Sequence, residues 1–165
     1  MYKIGDKIFY PMHGAGLIED LVEKEVLGEI RNYFVVGLVC NSVKISIPLD
    51  NAENIGLRPI IDNDLASKII FEFGNEKITE HENWNVRYRE NLEKMKSNNI
   101  HDISLVVKEL MLREKKKPLS TGERKMLNSA KNIFISELSL ALGKTFAEID
   151  SALCAMIENY CVCAM

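Results

Sequence analysis

Cysteine is scarce. The 165 residues hold four, and three of them (Cys154, Cys161, Cys163) crowd the last stretch of the chain. That number and placing do not make the disulfide framework of a small secreted domain. No apolar run approaches the roughly 20 residues that span a bilayer. The opening Met1-Tyr2-Lys3-Ile4-Gly5-Asp6-Lys7 has no signal-peptide core. The expectation is a soluble cytoplasmic protein. Only three histidines occur, His13, His81 and His101, far apart and in no metal-binding spacing. A Gly-x-Ser-x-Gly elbow and a Walker phosphate loop are both missing. These absences predict a protein that is not an enzyme, with no catalytic residues, no cofactor and no metal site. His13-Gly14-Ala15-Gly16 faintly echoes an oxyanion or dinucleotide loop, but a turn between two strands is the simpler expectation, since glycine permits positive φ. For the cysteines the expectation is a frayed tail at Cys161 and Cys163 and a buried helical thiol at Cys154.

What is present is ordinary in amount and uneven in placement. Hydrophobic residues make up 47% and charged residues 27%, the fractions of a globular chain of one domain or two small ones. The net charge of −3 hides its distribution: −2 over residues 1–60, −3 over 61–80, +5 over 81–131 and −3 over 132–165. One basic segment lies inside an acidic protein. Such a segment is either a solvated helical face or a phosphate-binding patch.

The first 60 residues read as β structure. Lys7-Ile8-Phe9-Tyr10 is short and closed by Pro11. Leu17 to Glu23 and Tyr33 to Val39 have strand composition, with Gly28-Glu29 as the turn between them. Val43-Lys44-Ile45-Ser46-Ile47 alternates as a half-buried strand does. Ile55 to Pro59 supplies a short fifth strand. Short strands at near-even spacing predict a small bent barrel.

Beyond residue 60 the pattern is helical. Helices are expected over 62–73, 83–96 and 101–114, the last with Ile103, Val106, Val107, Leu110 and Met111 on one face. Ser120-Thr121-Gly122-Glu123 and Thr145-Phe146-Ala147-Glu148 read as capping boxes, opening helices to about 142 and 159. The fold class is therefore α+β by segregated domains: a β-barrel over residues 1–60, then a compact all-α domain over 61–165.

The basic segment carries the chemistry. Asn83-Trp84-Asn85-Val86-Arg87-Tyr88-Arg89 sets the only tryptophan at the first turn of a helix, with Arg87 and Tyr88 three and four residues on. A helix N-terminus attracts phosphate, arginine offers forked donors, and an aromatic plate can stack on or wedge between bases. Arg113-Glu114-Lys115-Lys116-Lys117 and Arg124-Lys125 extend the positive charge. The competing reading makes Trp84 an ordinary core residue.

Several motifs together resemble the CarD/CdnL-type bacterial transcription regulators. They are Gly5-Asp6-Lys7-Ile8-Phe9-Tyr10-Pro11-Met12-His13-Gly14-Ala15-Gly16, Pro48-Leu49-Asp50-Asn51-Ala52-Glu53, Gly56-Leu57-Arg58-Pro59, the Trp84 segment through Lys94, and Leu119-Ser120 with Gly122 to Leu127. The resemblance spans about residues 3–158. It implies a Tudor-like barrel similar to the polymerase-binding module of transcription-repair coupling factors, docking on the RNA polymerase β subunit by strand-edge pairing. It further implies a helical domain facing promoter DNA at the upstream edge of the bubble. There Trp84 would wedge into the minor groove and stabilise the open complex. On this resemblance Trp84, Arg87, Arg89, Arg124 and Lys125 are the DNA-binding residues. Lys24, Val26, Ile45, Ser46 and Ile47 are the polymerase-binding ones. Ser46 stands where some relatives carry arginine, which leaves one cation fewer for docking. A monomer is expected. The alternative is a polymerase-tethered adaptor with no DNA role, in which Trp84 is buried; exposure of Trp84 discriminates between the two.

Overall fold

In the computed structural model, which describes residues 1–164, the alternating segments form β1 (Lys7–Tyr10), β2 (Gly14–Val26), β3 (Glu29–Leu38), β4 (Lys44–Pro48) and β5 (Arg58–Pro59). They make one antiparallel sheet in the order β4-β3-β2-β1-β5. The expected closed barrel is not formed. β4 pairs only with β3 and β5 only with β1, so both are edges. The reason lies between them: a 3₁₀ turn at Leu49–Asn51 and Gly56 at φ +79° use up the chain, leaving β5 two residues long and ending in a proline that has no N–H to donate.

The β2–β3 hairpin is longer than its sequence suggested. It pairs from Gly16↔Leu38 to Val26↔Glu29, with a bulge between Ile18 and Asp20. Its two-residue loop is Leu27-Gly28, both at positive φ (54° and 81°), so the turn lies one residue before the expected Gly28-Glu29. The charged residues that broke the strand pattern are exposed on a hairpin that overhangs the rest of the sheet.

Helices α1 (Asn63–Asn75), α2 (Trp84–Lys96), α3 (Ile100–Lys116), α4 (Thr121–Leu142) and α5 (Phe146–Cys163) follow. Asp62 caps α1, accepting from Leu65 N–H at 2.8 Å. Thr145 and Glu148 form the complete capping box expected at α5. Gly143, at φ 66°, ends α4. The C-terminal reading is corrected: α5 continues through Cys163 rather than fraying near residue 159, and Cys154 is exposed, not buried. The buried face of α5 is carried by Ile149, Leu153 and Ile157, which puts Cys154 one position off it.

The sheet has two differently covered faces. Ile8, Ile18, Phe34, Val36, Leu38 and Ile47 form a small core on one side. Phe9 and Ala15 point the other way, into the helical core with Phe73, Val107, Leu110, Phe134 and Leu138. Strand alternation in β1 thus serves both cores with adjacent residues.

The seam between sheet and helices is polar and specific. Ala15 N–H donates to Ser136 Oγ at 2.9 Å, and the same hydroxyl donates to Ile133 C=O at 2.7 Å. Gly14 lies at φ +101°, and a Cβ there would stand 2.8 Å from Ser136 Oγ. The Gly14-Ala15-Gly16 run is therefore not a turn: it opens β2, and its first glycine lets α4 approach. Arg58 grips Glu137 with two bonds, Nη1–Oε1 at 2.6 Å and Nη2–Oε2 at 3.0 Å, while its guanidinium lies 4.1 Å from the Phe9 ring centre. Glu137 also accepts from Ile61 N–H at 3.0 Å, and its side chain is fully buried.

Removing one partner of a buried ion pair leaves the other charge uncompensated, at a cost of about 3–5 kcal/mol. Glu137→Ala is expected to lose stability on that scale. Urea unfolding followed by circular dichroism checks it; a loss below about 1 kcal/mol, the scale of an exposed pair, would show the seam to be incidental.

Candidate functional site

The first turn of α2 carries Trp84. Asn83 caps it, its Oδ1 accepting from Val86 N–H at 3.2 Å. Tyr88, one turn on, stacks on the Trp84 ring with centroids 5.0 Å apart and planes 19° off parallel. Trp84 Nε1–H donates to Ser120 Oγ at 3.1 Å. Beside them Gly122 presents backbone, and a Cβ there would sit 3.6 Å from Tyr88 and 3.7 Å from Trp84. With these partners fixing it, 42% of Trp84 remains exposed. That exposure goes against the core reading.

Ser120 does two jobs with one oxygen. It is the cap of α4, accepting from Glu123 N–H at 3.2 Å, and it also receives the indole N–H. The capping box expected at Ser120-Glu123 is only half made. The Glu123 carboxylate is instead held by Arg87, Nε–Oε1 at 2.6 Å, with both side chains almost fully buried. Arg87 Nη1 donates further to His81 C=O at 2.7 Å and Glu82 C=O at 3.3 Å. One chain of polar contacts therefore runs from the segment before α2, through Arg87 and Glu123, to Ser120 and Trp84.

Arg87 is the site residue whose expected direction the structure corrects. At 2% exposure its guanidinium is turned to Glu123 and to the His81 and Glu82 carbonyls, not to solvent. Arg89, Lys125 and Lys117 are exposed with no carboxylate within ion-pair distance among the described residues, and Arg124 lies 3.8 Å from Glu114. The lysine run before Pro118 does not act as one patch. Lys115 pairs with Glu158 at 2.6 Å, Lys116 with Glu80 at 2.8 Å, and Arg113 lies 3.9 Å from Glu80.

Sequence reasoning also missed the inner stripe of α2, where Arg87, Asn91 and Met95 are all buried. Their i, i+4, i+8 spacing is a helical face, but two of its three members are polar, so an apolar count passes over it. Opposite, Glu109 is buried on α3; its Oε1 and both Asn91 amide atoms lack hydrogen-bond partners among the described residues. Burial pushes the Glu109 carboxyl above its usual range, with the charges of Lys94 and Arg87 opposing the shift. Burial likewise lowers Lys108, which donates to Glu76 C=O and lies 4.2 Å from the Tyr160 ring centre.

A second candidate surface lies on the sheet. β4 is an edge strand with one side of its backbone unpaired. Lys24 Nζ donates across to Ser46 Oγ at 2.8 Å and lies 5.6 Å from the Tyr33 ring centre, so Lys24 and Ser46 share the outer face. Val26 is exposed on the same face of the hairpin and Ile45 is half-buried on the opposite one. Ile47 belongs to the small core, so only its backbone is offered to a partner.

An antiparallel sheet with an overhanging hairpin is thus joined to a helical domain that holds a tryptophan at its surface. Residues 2–61 match the CarD-like/TRCF RID domain, and residues 68–154 match the CarD C-terminal domain. The chain is 36% identical over 151 residues to a Bacillus subtilis (strain 168) protein named "Putative transcription factor YdeB", covering 92% of this chain and 99% of that one. The chain belongs to the CarD family.

Replacing Ser120 with alanine removes both the cap and the indole partner. A loss of about 1 kcal/mol in stability is expected from the cap. Trp84 is expected to become more accessible to acrylamide and its fluorescence anisotropy to fall. Unchanged quenching would show that stacking on Tyr88 alone fixes the ring.

Proposed function

We propose that this protein is a transcription regulator that works while tethered to RNA polymerase. Residues 1–60 dock on the polymerase β subunit through the β4 edge and the face of Lys24, Val26 and Ser46. Residues 61–165 meet promoter DNA at the upstream edge of the bubble. There Trp84 enters the minor groove, and Arg89, Arg124 and Lys125 meet the phosphates on either side. No bond is made or broken; the protein shifts an equilibrium. The observation that carries this reading is an exposed tryptophan clamped by Ser120 and Tyr88; Arg89, on the same helix, and Lys125, near the start of α4, are exposed with no carboxylate within ion-pair distance among the described residues.

The energetics are adequate. A duplex normally resists a wedge by a few kcal/mol per unstacked step, but the edge of a bubble is already unstacked. An aromatic stacked on a base is worth about 1–3 kcal/mol, and about 1.4 kcal/mol is a tenfold change in an equilibrium. Tethering through the sheet raises the effective concentration of the tryptophan at the DNA, so neither contact has to be strong alone. A net charge of −3 is compatible with this, because one local patch meets the phosphates.

The test is the lifetime of the open complex formed by the cognate polymerase at fixed salt, since phosphate contacts weaken steeply as salt rises. Wild-type protein is expected to lengthen the lifetime by about tenfold. Trp84→Ala is expected to lose most of that gain while binding polymerase as before. If both proteins bind polymerase and neither alters the lifetime, the DNA role is wrong and the adaptor reading replaces it.

A further inference from the structure

Two stretches of chain lead into the tryptophan and are tied at both ends. Glu80 lies four residues before Trp84, and Lys116 lies four residues before Ser120. At one end Lys116 Nζ meets Glu80 Oε1 at 2.8 Å, and at the other Trp84 Nε1 meets Ser120 Oγ at 3.1 Å. Four residues span at most about 14 Å, so the Lys116–Glu80 pair is a close neighbour of the exposed ring. Glu80 is also fixed in place. Residues 76–83 form no helix or strand, but Lys108 holds the Glu76 C=O, and Arg87 holds the His81 and Glu82 C=O groups on either side of the stretch that carries Glu80 and its neighbours.

The pair is unequal. The Lys116 side chain is 68% exposed and that of Glu80 only 25%. The second oxygen of Glu80 lies 3.9 Å from Arg113 Nη1. Lys116 is therefore free to leave without stranding the carboxylate, because Arg113 stays beside it. Lys115 lacks this arrangement: its partner Glu158 is exposed and has no other cation within ion-pair distance among the described residues. An exposed ion pair holds its partner weakly, by at most about fivefold in an equilibrium. A DNA strand sets a phosphate about every 3.4 Å along its axis, and a lysine that reaches one releases a condensed counterion. DNA seated on Trp84 thus brings several phosphates within the distance that separates Lys116 from Ser120.

We infer that Glu80 masks Lys116 on the DNA-facing surface, holding the lysine off phosphate in the free protein and yielding it once Trp84 is seated. The inference rests on the DNA role proposed above and adds a regulation of that site. The mask lowers the affinity of the free protein for DNA at large, so stable contact depends on the polymerase tether. Arg113 makes the exchange reversible, since Glu80 keeps a cation in both states. Lys117, Arg89 and Lys125 stay outside the mask, exposed and without a carboxylate within ion-pair distance among the described residues.

The experiment measures the lifetime of the open complex of the cognate polymerase across a salt series, at saturating full-length protein. It compares wild type, Glu80→Gln, Lys116→Gln and the double variant. Glutamine keeps the shape of Glu80, and Lys116 is exposed, so all three variants are expected to melt close to wild type. Glu80→Gln is expected to lengthen the lifetime about threefold to fivefold over wild type at low salt, with the gain fading as salt rises. Lys116→Gln is expected to shorten it and to flatten the log–log salt dependence by about 0.9, the share of one phosphate. The double variant is expected to resemble Lys116→Gln. A Glu80→Gln lifetime equal to that of wild type, or a gain just as large without Lys116, overturns the inference and leaves the DNA role standing. Should Glu80→Gln melt well below wild type, Lys116→Gln decides alone, and an unchanged salt slope overturns the inference. Wild type that does not lengthen the lifetime overturns both.

Discussion

The Glu123 carboxylate sits inside the helical domain with 4% of its side chain exposed, and it has a choice of two partners. It can complete the box at the start of its own helix, or it can neutralise Arg87. Arg87 takes it, because a buried guanidinium left unpaired costs more than an unfilled cap. The rest of the site follows. With Arg87 fixed, the first turn of α2 is fixed against His81 and Glu82. Ser120 Oγ accepts from Glu123 N–H as the cap of α4, donates to the other oxygen of the same carboxylate at 3.4 Å, and with its second lone pair receives the Trp84 indole. The exposed ring is thereby ordered before any ligand arrives, and an ordered ring loses less entropy on binding than a mobile one.

A second buried pair, Arg58 with Glu137, does for the two halves of the chain what Arg87 and Glu123 do for two helices. It ties β5 to α4, and α4 is also the helix that Ser120 caps. The sheet surface around Lys24 and the tryptophan are therefore connected through one continuous helix and a buried seam. In the proposed function this matters because a tether delivers effective concentration only when its two ends keep a fixed geometry.

Much of this layout was legible in the sequence. Val43 to Ile47 alternates, the caps at Asp62, Asn83, Ser120 and Thr145 start helices where expected, and Trp84 lies within the segment of excess positive charge, residues 81–131. What escaped had physical causes. Closure of the barrel depends on strand lengths, and two-residue β5 is too short to seal it. The hairpin read short because a strand solvated on both faces carries no alternation to detect. Arg87 read as a surface group because its partner, Glu123, lies 36 residues away, and a local window cannot see a buried ion pair. Gly14 read as a turn because local sequence does not reveal a close approach by α4.

The central claim is that the buried Arg87–Glu123 pair presents the tryptophan. Arg87→Lys tests it most directly. Lysine keeps the charge but cannot hold Glu123 and the His81 and Glu82 carbonyls at once with a planar fork. The measurement is the lifetime of the open complex with this variant against wild type, at equal occupancy of polymerase. The account predicts that most of the lengthening is lost although Arg87 touches no DNA. A lifetime equal to that given by the wild type would contradict it.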